Sequence, residues 1–88
     1  MRLSEAMPRV RELQKKMGEA ANLAERDSHR YQAHMTLYNV AVMANDAKQM
    51  EQERLTLHSA LDGILDAGLT VGMCQREINE ISLNVTDD

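Results

Sequence analysis

The sequence predicts an all-α protein: an antiparallel helical hairpin with a short C-terminal third helix, assembling into a dimeric helical bundle. Three observations lead there. The 88 residues include four Gly and one Pro and no alternating β-branched run, so strands and tight turns have little material. Apolar residues recur at three- and four-residue steps, the period of one helix face. They are also slender on the whole, with seven Met, two Tyr and no Phe or Trp.

The first helix is expected over residues 4–44. Ser4 is positioned to cap it, because its hydroxyl can accept a backbone N–H of the first turn. Pro8 falls early enough for its missing N–H to cost little. Leu3, Met7, Val10, Leu13, Met17, Ala20, Ala21 and Ala24 then trace one face. Glu5–Arg9 and Glu12–Lys16 stand four apart with the acid first, the favourable order on a wet face. Arg26–Arg30 interrupts the apolar rhythm. A break near 27–30, capped by Asp27 or Ser28, competes with a continuous helix, and the lack of Gly or Pro favours continuity. From Tyr31 to Ala44 the chain is apolar around much of its circumference, which predicts cover on more than one side.

Asn45-Asp46 supplies a turn and an N-cap for a second helix over 46–67. Its dry positions are expected at Met50, Leu57, Leu61, Ile64 and Leu65, with Leu55 on a flank. Gly68 reads as a C-terminal stop and Thr70 as the cap of a third helix over 70–82. There Val71, Cys74, Ile78, Ile81 and Val85 make a narrow coiled-coil stripe. Residues 84–88 are expected to form a disordered tail. Small residues also cluster, Gly18, Ala20, Ala21 and Ala24 on the first helix and Ser59, Ala60, Gly63 and Ala67 on the second. Either they let the helices approach closely, or the glycines are merely tolerated.

Length and charge narrow the function. Residues 1–88 make a single domain, too small to bury a deep core, so a homodimer or another protein partner is expected. The net charge of −4 is that of neither a polyanion nor a nucleic-acid-binding polycation. Val40–Ala44, the longest apolar run, is far short of the ~20 residues of a membrane span. No signal-peptide core is legible and Cys74 is the single cysteine, so the expected location is the cytoplasm. Residues 1–30 carry an excess of base and residues 45–88 an excess of acid, which favours a hairpin.

Candidate chemistry is sparse. His29 and His34 are five apart and share no helix face, and no His has Glu three residues before it, as a helical di-metal site requires. His58 and Asp62 could pair at i,i+4. Cys74 lies on an apolar stripe near Glu77 and Glu80, a poor setting for a thiolate. Arg2, Arg9, Arg11, Lys15 and Lys16 form a basic face, but acids stand among them and no aromatic residue offers base stacking. No catalytic residue, cofactor, metal or small-molecule substrate is expected. The expected self-association or partner interface comprises Met35, Tyr38, Val42, Met43, Met50, Leu57, Leu61, Ile64, Cys74, Ile78 and Ile81.

Asn45-Asp46-Ala47-Lys48-Gln49-Met50, followed by Leu57-His58-Ser59-Ala60-Leu61-Asp62-Gly63-Ile64, resembles the second helix of the small type III secretion needle co-chaperones. The resemblance covers residues 45–64 and implies a helical hairpin that holds an export subunit soluble. A longer N-terminal half and a helix after Gly68 depart from that family, so no binding residues carry over. The residues themselves point to a non-enzymatic interaction protein: an adaptor, inhibitor or regulator, of the accessory kind carried by phages and plasmids. A nucleic-acid-binding regulator using the N-terminal basic face is the remaining alternative.

Overall fold

A computed structural model describes residues 1–86, and two helices take up most of them: α1 (Leu3–Met43) and α2 (Ala47–Leu83). The helices lie side by side in a rod of 67 × 14 × 12 Å. At 1.5 Å per residue α1 alone accounts for about 60 Å of that length.

α1 starts earlier than the Ser4 cap predicts. Arg2 is the extended residue before the helix, and its carbonyl accepts from Glu5 N at 3.1 Å and Ala6 N at 3.0 Å. It is held extended by a bridge to Thr86, so Ser4 is already helical and the capping position has passed. Pro8 is accommodated inside the helix. No break occurs at 27–30, and α1 continues unbroken to Met43.

The turn is built from backbone geometry. Asn45 has φ 54, the left-handed conformation that asparagine tolerates better than most residues. Asp46 N donates to Ala41 O at 2.9 Å and Asn45 N to Val42 O at 3.1 Å, closing α1 with a Schellman motif. The Asp46 carboxylate then accepts from Gln49 N at 3.1 Å and caps α2.

The expected third helix is corrected: α2 runs through Gly68 and Thr70 without interruption. A glycine stop needs a left-handed residue, and no described glycine has a positive φ. The apolar stripe Ala60, Ile64, Ala67, Val71, Cys74 and Ile78 keeps its rhythm across the glycine. Burying that stripe outweighs the ~1 kcal/mol that glycine costs a helix. Thr70 Oγ1 donates to Asp66 O at 3.1 Å, a mid-helix bond instead of a cap. The expected disorder of 84–88 is also corrected in part. Thr86 N donates to Met1 O at 2.8 Å and the Met1 ammonium to Asn84 O at 3.1 Å, which ties the open end of the hairpin. Asp87 and Asp88 lie outside the described residues.

Burial follows a seven-residue period on both helices, the signature of a coiled coil. Ala6, Leu13, Ala20, Asp27 and Ala41 are buried on α1, with half-buried His34 in step; Glu53, Ala60, Ala67 and Cys74 are buried on α2. Arg9 meets Glu77 and His34 meets Glu53, so the pairing is antiparallel. Extending that register sets Leu13 against Cys74, Ala20 against Ala67 and Asp27 against Ala60. The seam is thin. No large side chain among the described residues is completely covered.

Candidate interaction surface

Two polar layers interrupt the seam. Asp27 is buried beside Gly63, where a Cβ would collide with its carboxylate. Gly63 is therefore a packing residue, as close approach predicts, whereas Gly18 faces open space. Arg30 lies 3.5 Å from Asp27 Oδ1 and donates to Ser59 Oγ at 3.2 Å, bridging the helices at the same level. One layer nearer the turn, His34 Nδ1 bonds to the buried Glu53 carboxylate, which also accepts from Gln49 Nε2. Neither layer is legible in the sequence alone. A polar residue at a seam position looks like an interruption until its partner on the other helix is known.

The other chemistry-bearing residues stay apart. His29 lies 3.8 Å from Glu25 on the exposed side of α1. His58 is exposed and does not pair with Asp62. Cys74 is buried in the seam, where it packs as a small apolar group. Among the described residues no group of three or more His, Cys, Asp or Glu converges to hold a metal. No described helix is long and apolar enough to cross a membrane.

Part of the basic face is already engaged. Arg9 does not pair with Glu5 but reaches Glu77 at 2.8 Å and Glu12 at 3.2 Å; Lys16 lies 3.6 Å from Glu12. Hydrogen bonding to Glu77, then to Glu12, raises the Arg9 pKa further. Hydrogen bonding from Arg9 holds Glu12 below its ordinary range, with the charges of Arg9 and Lys16 adding to it. A depressed carboxyl pKa stabilises the fold above the unfolded value and loses that effect as pH falls through the folded one. Glu12→Gln is therefore expected to melt below wild type above the ordinary glutamate range and to converge with it as pH falls below that range. The gap should be small and should shrink with salt, because the pair is exposed. Thermal melts across pH at two ionic strengths measure it.

The expected interface residues divide into two groups. Leu57 and Cys74 are buried, and Tyr38, Met50, Ile64, Ile78 and Ile81 are half-buried along the seam between α1 and α2. Met35, Val42, Met43 and Leu61 stay on the surface. Leu65, expected to be dry, is 70% exposed, while Ala60, Ala67 and the acidic Glu53 occupy the buried positions. The cause is register. Between Leu57 and Cys74 the buried positions of α2 go to small residues that let the backbones approach, and Leu61 and Leu65 fall outside them.

Two apolar regions result. At the turn end, Leu37, Val40 (57% exposed), Val42 and Met43 (87%) are open to solvent. From Tyr31 to Asn45 there is no Asp, Glu, Lys or Arg. Along α2, Leu55, Leu65, Leu69, Met73 and Leu83 are exposed on the side away from α1. A cleft of about 380 Å³ runs beside Gly63, but its walls carry Lys16, Arg26, Glu19 and Asp66, charges of both signs with no convergent set. The described surface thus offers exposed apolar helix faces for packing. No known protein family, curated protein or solved structure matches this chain.

Proposed function

We propose that this chain is a non-enzymatic protein–protein interaction module, an adaptor, inhibitor or regulator that works by offering helix surface to another protein. The observation that carries this reading is the uncharged turn end, where Leu37, Val40, Val42 and Met43 are exposed together. Exposed apolar side chains gathered at one uncharged end of a small protein favour association there. The polar seam layers keep the two helices in one register, so the turn end is presented on a stiff support.

Capture from a host lysate with mass spectrometry is expected to return a protein retained by wild type and lost with Val42→Asp. Val42 is exposed, so the variant should keep its helix content by circular dichroism. Equal recovery by both chains would contradict the reading.

The co-chaperone-like role is the second reading, favoured by the hairpin architecture itself. A chain that holds an export subunit should melt at a higher temperature with its client, by mass action. A nucleic-acid-binding regulator would instead show affinity that collapses with added salt. Arg9 and Lys16 already face acids, which weakens that alternative.

A further inference from the structure

We infer that the outer face of α2 pairs with the same face of a second copy of this chain, antiparallel, about a two-fold axis beside Leu69. The inference names the occupant of one apolar surface behind the interaction reading, and it rests on that reading. Every seventh residue on the side of α2 away from α1 reads Lys48, Leu55, Asp62, Leu69, Arg76, Leu83, all six exposed, and the five from Leu55 to Leu83 form a symmetric row. Reversed, the row keeps leucine at both ends and the centre while aspartate and arginine exchange places. Opposed to its own reverse, it sets Leu55 against Leu83 of the second copy, Leu69 against itself, and Asp62 against Arg76. The neighbouring rows agree, with Leu65 facing Met73 and His58 facing Glu80.

Alternative pairings fail on charge. A parallel pair would align Asp62 with Asp62 and Arg76 with Arg76, and a heptad shift would set each charge against a leucine. Such mismatches are how a helix pair rejects wrong registers. Arg76 has an exposed neighbour in Glu80 at 3.4 Å, which the pairing leaves in place. Gly68 and Gly72 flank Leu69 with open space where a Cβ would stand, so nothing there holds a neighbouring helix away. The corresponding side of α1 carries Arg11, Lys15, Asn22 and Glu25 and offers no second face of this kind.

The chain exposes 6494 Å², against about 5200 Å² for a compact monomer of its 9.9 kDa mass, a surplus that its 67 × 14 × 12 Å shape spreads along both helices.

Sedimentation equilibrium of the full chain, with charge reversals, tests the pairing. Wild type is expected to dimerise. Asp62→Arg and Arg76→Asp should each weaken the dimer by about tenfold, since symmetry places two like-charge contacts in every dimer. The double variant should return to within about threefold of wild type, because the contacts become opposite again. Leu69→Asp should be monomeric with unchanged helix content. A monomeric wild type would overturn the inference, as would a double variant as weak as the singles. Lysate capture by Leu69→Asp separates the two proposals. Retained capture with a dimeric Leu69→Asp overturns the pairing alone. A dimeric wild type whose capture is indifferent to Val42→Asp overturns the turn-end reading alone.

Discussion

Replacing Ala60 with leucine is expected to destabilise the hairpin by about 3 kcal/mol, the upper range for overpacking a close-packed core. Ala60 is completely buried, and the register places Asp27 across from it. Alanines at 20, 60 and 67 hold the backbones close along the middle of the rod. Leucine adds three carbons where neither helix can move independently, so accommodating it separates the pair over neighbouring turns. Those turns lose dispersion contacts that depend steeply on distance. Leu65→Ala should change stability by less than about 0.5 kcal/mol, because that side chain is outside the seam. Urea denaturation of the two variants measures the contrast, and a larger cost for Leu65→Ala would invert the seam described above.

His34→Ala is expected to cost about 2 kcal/mol, in the range for a buried charged group that loses a hydrogen-bond partner. Glu53 is buried and would retain only Gln49 as a side-chain donor. Replacing both seam residues, with His34→Leu and Glu53→Leu together, should be neutral or stabilising, since an apolar pair incurs no desolvation of charge. The two results distinguish specificity from stability. A polar pair that is costly to break yet replaceable as a unit serves to fix which residues face each other. A double-mutant cycle by chemical denaturation gives the coupling directly.

Much of this architecture is legible in the residues. Of the expected α1 face, Val10, Leu13, Met17, Ala20 and Ala24 locate the seam while Leu3, Met7 and Ala21 are exposed, and Val71, Cys74, Ile78 and Ile81 locate that of α2. Asn45 and Asp46 serve as the turn and cap their side chains suggest. The misplacements share one cause. Leu61 and Leu65 look dry by hydropathy, but a seam this narrow selects by size and register, so Ala60 and Ala67 displace them. Asp27 and His34 occupy seam positions that their polarity argues against, because Gly63 and Glu53 accommodate them from the other helix. Gly68 looks like a stop only when read alone. Of the eleven expected interface residues, Met35, Val42, Met43 and Leu61 are available to a partner, and the others serve the hairpin's own seam.

An alanine-rich seam leaves many of the larger apolar side chains outside, and the association proposed above rests on that surplus. Melting temperature as a function of chain concentration tests this most directly, because stability gained from association follows mass action. Over about a thousandfold range of concentration the midpoint is expected to climb steadily, and Leu69→Asp should flatten the climb. A midpoint that stays constant over that range, from a wild-type chain that sediments as a folded monomer throughout, would contradict it.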